Sequence, residues 1–326
     1  MNVKYLRSSS VTTYDDCQFK YFLEYVLNLP SPSGKKAMLG TISHHVLELL
    51  ARASKTGRKG GKFLDTEYLL RICWDRYSQE LEGIELDDKD YKFCQKTIAK
   101  VVDSSYNPLK LNVIDTEKRF QIPVIDNGFT YSSFNPLTGE IDVGDCELRG
   151  TMDLVTEIDK DTIEVIDWKT GLRKCWTTGK EKDYEYLLNN DIQLRMYDLA
   201  CSILYPQYKH RLMTIHFINK GGPFTVAFDD KEREKTIDIL KYHFTNITSN
   251  QCPSRIKEDN PKSSWKCRKV CHFGKNEASN GSCWCDNIFY YLLHNGVDDT
   301  ILKVEELRKK ERSNMVSLTS NRRNIY

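Results

Sequence analysis

An acidic residue on one predicted β-strand faces an acidic residue and a lysine on the next. Polar and apolar residues alternate around Asp153 and again around Asp167 and Lys169, and a short charged turn centred on Lys160 separates the two stretches. That pattern predicts a β-hairpin. Residues equidistant from its centre lie opposite each other, so Asp153 faces Asp167, and Lys169 shares the face of Asp167. Trp168 points to the opposite face, into the core.

The opposed carboxylates predict a metal site. Directly opposed side chains have Cβ atoms roughly 4.5 to 5.5 Å apart, and two like charges at that distance repel unless a cation lies between them. Oxygen ligands suit Mg²⁺ or Mn²⁺, and such an ion activates water and neutralises phosphate charge in phosphodiester hydrolysis. Lys169 could orient that water or stabilise the developing charge. The alternative is a surface hairpin with solvated charges.

Two predicted helices carry further candidate residues. His44 lies in a helix expected over Ile42–Ala53, and Gln193 and Tyr197 lie four residues apart, hence on one face, in a helix expected over Asn189–Tyr205. Taken alone, a single histidine is more often structural than a ligand. A glutamine beside a tyrosine is, by itself, more often a solvated residue at the edge of a core.

The order of these residues along the chain forms a recognisable series of motifs: Gly40-x-x-x-His44, Gly150-x-x-Asp153, Ile166-Asp167-Trp168-Lys169-Thr170-Gly171 and Gln193-Leu-x-x-Tyr197. This series resembles the RecB-type branch of the PD-(D/E)XK nuclease superfamily, which includes the nuclease domains of RecB and AddB and the CRISPR-adaptation nucleases. The resemblance extends over about residues 8–285. The proline that names the superfamily is replaced here by Met152, as is common in this branch.

The resemblance implies a metal-dependent DNA nuclease whose Mg²⁺ or Mn²⁺ ligands would be His44, Asp153, Asp167 and the main-chain carbonyl of Trp168. Lys169 would be the catalytic lysine, and Gln193 and Tyr197 would support the site and touch DNA. The implied fold is an α/β restriction-endonuclease-like core, a mixed central sheet flanked by helices, with a helical insertion and a C-terminal closure bound by an iron–sulfur cluster. Exonuclease action on single-stranded DNA or DNA ends is expected; a structure-specific endonuclease and a non-catalytic DNA-binding scaffold are the alternatives.

The cysteines predict a second metal centre. The chain has 11 cysteines and no visible secretory signal, which favours a metal or iron–sulfur site over a disulfide framework. Five of them form two groups, namely Cys17 and the set Cys267, Cys271, Cys283 and Cys285. The C-terminal four could bind zinc, as in a zinc-ribbon interaction protein. Iron–sulfur members of the family have one cysteine before the histidine motif and three after the glutamine motif, which implies a 4Fe–4S cluster on four of these five, with Cys283 weakly favoured over Cys285.

Composition and pattern suggest how the chain is organised. Of the 326 residues, 40% are hydrophobic and 29% are charged, as in an ordinary globular protein. A single nuclease domain is predicted over residues 1–290, followed by a C-terminal helix and basic tail over 291–326. Within the domain we expect a helical insertion over about 54–107, a nuclease core over about 108–250 with a loop or hairpin excursion over 126–144, and a cysteine-rich segment over about 252–285.

Charge and motifs bear on partners and location. The net charge of +2 neither requires nor excludes DNA. Two basic segments could contact phosphates: Lys55, Arg58, Lys59 and Lys62, and then Arg255, Lys257, Lys262, Lys266, Arg268, Lys269 and Lys275. No Gly-x-x-x-x-Gly-Lys-Ser/Thr phosphate loop occurs, so unwinding would need a helicase or another replication or recombination protein. No apolar run reaches the roughly 18 to 20 residues of a membrane span, and a cytoplasmic location is expected.

Overall fold

The structure is a computed structural model that describes residues 1, 3–31, 34–57, 64–79, 85–124, 128–174, 180–256, 265–267, 271–274 and 284–322. The chain forms two compact units. The first unit comprises Met1–Pro32, Pro123–Glu147 and Leu240–Tyr326, and the second comprises Ser33–Ile122 and Leu148–Ile239. The single nuclease domain expected over residues 1–290 stays a prediction.

The helices and strands follow the chain in a mixed order. Among the described residues the α-helices are α1 (Ser8–Asp16), α2 (Gln18–Tyr21), α3 (Lys35–Lys55), α4 (Thr66–Gln79), α5 (Asp88–Val102), α6 (Tyr184–Asn190), α7 (Ile192–Leu204), α8 (Asp230–Ser249) and a C-terminal helix, Trp284–Arg322. A π-helical turn covers Phe22–Val26 and a 3-10 turn covers Pro108–Lys110. The strands are β1 (Tyr5–Leu6), β2 (Val113–Pro123), β3 (Thr130–Asn135), β4 (Glu140–Asp145), β5 (Glu147–Asp159), β6 (Thr162–Lys169), β7 (His210–Phe217) and β8 (Gly222–Val226). None of the described helices is both long and apolar enough to cross a membrane.

A mixed sheet organises the second unit. Strand β5 pairs with β6, β6 with β7 and β7 with β8, while β2 pairs with β5. The β6–β7 pair is parallel, and the β5–β6 and β7–β8 pairs are antiparallel. A parallel pair needs a crossover connection, which helices α6 and α7 provide here. The expected fold class, a mixed central sheet flanked by helices, is confirmed.

The β5–β6 hairpin forms in the register that the sequence predicts. Leu154 pairs with Ile166 and Val155 pairs with Val165, so both pairs are centred on residue 160. Because side chains alternate along a strand, Ile166 and Asp167 point to opposite faces of the sheet. Ile166 and Trp168 therefore face the hydrophobic cluster, while Asp167 and Lys169 point to the other face of the sheet.

Helices α3, α4 and α5 cover the apolar face of the sheet. Trp168 is fully buried and belongs to one hydrophobic cluster with residues of all three helices, among them Leu50 of α3, Leu70 of α4 and Ile98 of α5. Helices α4 and α5 form where the sequence predicts a helical insertion. Packing against the sheet therefore fixes α3, the helix that carries His44.

A single residue divides the helix that the sequence predicts over Asn189–Tyr205. Asp191 has an extended backbone, with φ of −85° and ψ of 97°, so α6 ends before it and α7 begins after it. Its side chain caps α7 by accepting hydrogen bonds from the main-chain N–H groups of Gln193 and Leu194. The predicted helix is confirmed as α7, but its start is wrong: it begins at Ile192, because Asp191 satisfies the free N–H groups of a new helix start.

Contacts within the first unit join segments that are far apart in sequence. The N–H of Phe19 donates to the carbonyl of Ser254 at 2.9 Å, and Lys266 Nζ lies 2.6 Å from Asp16 Oδ1. Strands β3 and β4 form an antiparallel two-stranded sheet within the excursion expected over residues 126–144.

Candidate active site

Asp153 lies on β5 where its main-chain pairing with β6 ends. The last paired residues are Leu154 and Ile166. Beyond this pair, the side chain of Asp153 links the two strands: its Oδ2 accepts a hydrogen bond from the N–H of Trp168 at 2.8 Å. The same oxygen lies 3.5 Å from Nδ1 of His44 on α3. The carboxylate is therefore held between a strand and a helix.

Asp167 and Lys169 point to one face of β6 and form an ion pair. Lys169 Nζ lies 2.6 Å from Asp167 Oδ2, and only 2% of the Asp167 side chain is exposed. That buried Oδ2 accepts no hydrogen bond of good geometry among the described residues. The carboxylate thus meets a positive charge but keeps acceptor capacity that nothing in the described structure uses.

Gln193 on α7 connects the acid and the lysine. Its Oε1 accepts a hydrogen bond from Lys169 Nζ at 3.1 Å, and its Nε2 donates to Asp167 Oδ1 at 2.9 Å. Nε2 also donates to the Tyr197 hydroxyl at 2.6 Å, and that hydroxyl donates to the carbonyl of Thr151 at 2.5 Å. The orientation of the amide follows from the chemistry, since a lysine can only donate and a carboxylate can only accept. All predicted catalytic and metal-binding residues therefore meet at one place in the second unit.

The glycines of two motifs allow close approach of neighbouring segments. A Cβ atom on Gly40 would lie 3.0 Å from Oγ1 of Thr170, the residue that follows Lys169. A Cβ atom on Gly150 would lie 2.5 Å from the Phe120 ring, and that ring packs edge-on against Tyr197 with centroids 6.2 Å apart. These glycines therefore let α3 and β2 pack close to the strands that carry the acids.

Burial dominates the electrostatics of the site. It raises the pKa of Asp153 and of Asp167 to about 6, although Lys169 acts to lower both. Burial acts to lower the pKa of Lys169, but Asp167 and Asp153 outweigh it, so that pKa is raised and the lysine stays charged. Burial lowers the pKa of His44 to about 4, which leaves the imidazole neutral at pH 7, as a metal ligand must be.

Two glutamates extend the negative charge around Asp153. Burial, followed by Asp153 and Glu48, raises the pKa of Glu117 to about 7. The φ angle of Glu117 is 47°, a left-handed conformation that is uncommon for a residue other than glycine. Glu48 lies 2.9 Å from Nδ1 of His45 and accepts from Arg52 Nε at 2.8 Å. Glu48 could be found from the sequence, because it lies four residues after His44 and so shares its helical face. Glu117 lies among ordinary charged residues of a strand and belongs to no motif.

The chemistry of the donor set fits a divalent cation. The buried Asp167, the half-buried Asp153 and a neutral imidazole are donors that suit Mg²⁺ or Mn²⁺. The carbonyl of Trp168 stays a predicted ligand. The raised pKa values of Asp153 and Asp167 indicate that the charge of Lys169 alone does not offset the cost of burying both carboxylates. Within the described part of the chain, no three His, Cys, Asp or Glu side chains stand at metal-binding spacing, and the cation beside Asp167 is the lysine ammonium.

Three of the predicted cluster cysteines lie near one another in the first unit. Burial raises the pKa of the Cys285 thiol to about 12, and the charges of Cys271 and Cys17 contribute to that rise. Burial also raises the pKa of the Cys271 thiol, with a contribution from Cys17. Cys267 is half-buried. Cys283 lies outside the described residues, so the choice between Cys283 and Cys285 stays a prediction.

Three basic residues expected to contact DNA form ion pairs with acids. Lys55 pairs with Asp115 at 2.6 Å, Lys266 pairs with Asp16 at 2.6 Å, and Arg255 pairs with Asp286. The other predicted contacts lie outside the described residues: Arg58, Lys59, Lys62, Lys257, Lys262, Arg268, Lys269 and Lys275.

The motif order and the site geometry agree with a comparison to known protein families. Residues 8–274 match the PD-(D/E)XK nuclease superfamily, and this range contains every residue of the site described above. The chain belongs to the PD-(D/E)XK nuclease superfamily. It is accordingly an enzyme of the phosphodiesterase class, and nucleases of this superfamily generally use Mg²⁺ or Mn²⁺.

Individual relatives are distant. One of the subunits of an ATP-dependent helicase/deoxyribonuclease from Streptococcus uberis is 23% identical over 247 residues, which cover 73% of this chain and 20% of the relative. This PD-(D/E)XK chain thus spans about a fifth of the length of that relative. A crystal structure of a protein from Eubacterium rectale described as a candidate exonuclease superposes with a TM-score of 0.46 and 11% identity, covering 80% of this chain and 88% of the other.

Proposed function

We propose that this chain hydrolyses phosphodiester bonds in DNA with a divalent metal ion. The observation that carries the proposal is the pair formed by the half-buried Asp153 and the buried Asp167, whose negative charge Lys169 balances only in part. His44, the two aspartates and the carbonyl of Trp168 would hold the ion. Bound there, Mg²⁺ or Mn²⁺ would lower the pKa of a water molecule and neutralise charge on the phosphate.

The side chains around the acids contribute position and charge. Lys169 is fixed between Asp167 and Gln193, so its ammonium is placed to orient the attacking water or to stabilise the charge that develops on the phosphate. Gln193 holds the acid and the lysine at fixed separation, and Tyr197 anchors the glutamine to the main chain of β5. Such preorganisation removes the entropic cost of assembling these groups during the reaction.

DNA ends or single strands are the proposed substrate, and the proposed mode of action is exonucleolytic. A relative that is one component of an ATP-dependent helicase/deoxyribonuclease supports cooperation with an unwinding enzyme. A helicase or another recombination protein would supply the single strand.

A 4Fe–4S cluster is the proposed role of the cysteines, with zinc as the alternative metal. Cys17 acts to raise the pKa of the Cys271 and Cys285 thiols, and Cys271 acts to raise that of Cys285, which supports a common site for these three cysteines. The proposed ligands are Cys17, Cys267, Cys271 and one of Cys283 or Cys285. Burial disfavours the thiolate forms of Cys271 and Cys285, and a positively charged cluster would offset that cost.

The test is cleavage of end-labelled DNA by protein purified without oxygen. Single- and double-stranded substrates labelled at either end are incubated with wild-type protein and with Lys169→Met, in Mg²⁺, Mn²⁺ or EDTA. Metal-dependent shortening from one end supports the proposal and shows the polarity. Internal cuts at junctions would identify a structure-specific endonuclease, and binding without cleavage by cluster-loaded protein would identify a scaffold.

A further inference from the structure

The β3–β4 hairpin carries none of the catalytic residues. It connects β2 to β5, two strands of the sheet in the second unit, yet residues 123–147 belong to the first unit. One face of the hairpin is anchored within that unit. Asp142 Oδ2 lies 2.8 Å from Lys4 Nζ, and it also accepts a hydrogen bond from Asn135 Nδ2 at 3.2 Å.

The opposite face of the hairpin carries exposed apolar side chains beside Thr130, Ser132 and Asp145. Phe134 pairs directly with Ile141 across the two strands, and Val143 lies on the same face two residues further along β4. The exposed fractions are 52% for Phe134, 67% for Ile141 and 66% for Val143, and Leu137 in the turn is 53% exposed. Single exposed apolar residues are ordinary, whereas several that are contiguous mark a surface for association.

The charges of the hairpin restrict what can cover this face. Residues 124–147 contain no Lys, Arg or His. Asp142 is already paired with Lys4, and the exposed acids of the described hairpin strands are Glu140 and Asp145. DNA carries a negative charge for roughly every 1.7 Å of its axis and would be repelled. A second copy docking by the same face would bring like charges together. A surface with lysine or arginine beside apolar residues would complement both features.

We propose that the exposed face formed by Phe134, Leu137, Ile141 and Val143 docks another protein chain, one that presents apolar side chains flanked by lysine or arginine. Burial of the four apolar side chains supplies the affinity. The surrounding carboxylates steer the partner and reject nucleic acid. This role is separate from the nuclease chemistry, so it stands or falls independently of the catalytic site.

The test uses a fluorescein-labelled peptide of alternating Val and Lys as the probe, and its Val and Glu counterpart as a charge control. In an extended peptide these residues present an apolar face opposite a charged one. The first variant combines Phe134→Ser, Ile141→Thr and Val143→Thr, which removes the apolar face. The second combines Glu140→Lys and Asp145→Lys, which reverses two charges and also removes the hydrogen bond from Thr130 Oγ1 to Asp145. The matched control is Ile158→Thr, because Ile158 is also a strand residue and is 53% exposed.

Fluorescence anisotropy should show saturable binding of the Val–Lys peptide to wild-type protein and to Ile158→Thr. Both hairpin variants should weaken it by roughly tenfold or more, and the Val–Glu peptide should not bind. Equal binding by wild-type protein and the two hairpin variants, each with an unchanged circular dichroism spectrum, overturns the proposal. If wild-type protein sediments as a dimer and the triple variant as a monomer, the face binds a second copy of the chain. If the hairpin variants lose affinity for labelled DNA, the face binds DNA. Either result also overturns the proposal.

Discussion

Asp167 holds a negative charge where solvent cannot screen it, and this arrangement has a cost in stability. Burial raises the pKa of its carboxyl to about 6, so the folded protein binds a proton more tightly than the unfolded chain does. The stability contributed by this group is therefore present at low pH, is lost as the pH rises from about 4 to about 6, and remains lost above that range. Residues placed for catalysis commonly oppose stability in this way.

Asp167→Asn should therefore stabilise the metal-free protein at pH 8. The gain should be at most about 3 kcal/mol, because each pKa unit corresponds to about 1.4 kcal/mol, and it should shrink towards pH 4. Thermal unfolding in EDTA at both pH values measures this, with Asp161→Asn in the turn of the same hairpin as the control. A lower Tm for Asp167→Asn than for wild-type protein at pH 8 would contradict the burial argument.

Gln193 should matter for rate far more than for folding. Gln193→Ala removes the hydrogen bonds to Lys169, Asp167 and Tyr197 and frees both charged groups to move. We expect kcat to fall by about 10- to 100-fold with little change in KM, since loss of one positioning contact costs on the order of 2 kcal/mol. Asn189→Ala on the neighbouring helix α6 is the control, and an equal loss in both variants would make the role of Gln193 merely structural.

The residues of the site were largely predictable because their motifs encode local geometry. Asp167 and Lys169 share a face by strand alternation, and Gln193 and Tyr197 share one by helical spacing. Glu117 was not predictable. Its relation to Asp153 and its left-handed backbone depend on how β2 packs beside β5, and nothing in the sequence around it differs from a solvated strand.

At the scale of elements, the start of α7 sets the position of the glutamine. Asp191 caps this helix, and Asp183 caps α6 in the same way by accepting from the N–H of Tyr186. Each cap replaced by Ala should lower the free energy of unfolding by about 1 kcal/mol. Only Asp191→Ala should also lower kcat, because only α7 carries Gln193. Equal activity of the two variants would show that the cap does not position the site.

The close packing of β2 against β5 gives a second prediction at this scale. Gly150→Ala would place a Cβ atom 2.5 Å from the Phe120 ring, which must then shift against Tyr197. We expect a loss of about 1 to 3 kcal/mol in unfolding free energy, as for overpacked cores, together with reduced activity. Gly139→Ala, at a position with nothing within 4 Å but with φ of 75°, is the control for backbone strain alone. Restoration of activity in Gly150→Ala by Phe120→Leu would confirm the steric cause.

Elements were predicted better than their boundaries. The alternation of residues fixed the register of the β5–β6 hairpin, because a slip by one residue would expose the whole apolar set. The break at Asp191 was missed because an aspartate inside a helix and one that caps a new helix look the same to a periodicity argument. The β3–β4 hairpin was one of two alternatives, a loop or a hairpin, since its exposed apolar residues do not show which face is covered.

At the scale of the whole molecule, the cysteines join distant parts of the chain. A cluster with ligands at Cys17 and Cys271 would close a very long loop, and in the chain-entropy description this stabilises the fold by several kcal/mol. Cys17→Ser should therefore lose bound iron and sulfide and lower Tm. Cys252→Ser, at an exposed cysteine, should change neither. Zinc in place of iron would favour the alternative metal, and an unchanged metal content and Tm for Cys17→Ser would contradict a shared centre.

The division into two units was not predicted from the sequence. Each unit gathers segments from separate stretches of the chain, and such long-range contacts leave no local pattern. The motif series still indicated the family, because the active-site residues of this superfamily come from elements whose order is fixed. Which cysteines bind the cluster could not be predicted as well, since the spacing of Cys283 and Cys285 does not distinguish between them.

The central claim is that Asp153 and Asp167 together hold the divalent ion. Isothermal titration of Mn²⁺ into the metal-free protein tests it most directly, comparing wild-type protein with the double variant Asp153→Asn and Asp167→Asn. The control is Asp159→Asn with Asp161→Asn, which removes the same number of charges from the same hairpin. We predict saturable Mn²⁺ binding that the first double variant loses and the second retains. Unchanged Mn²⁺ affinity in the first variant would contradict the account.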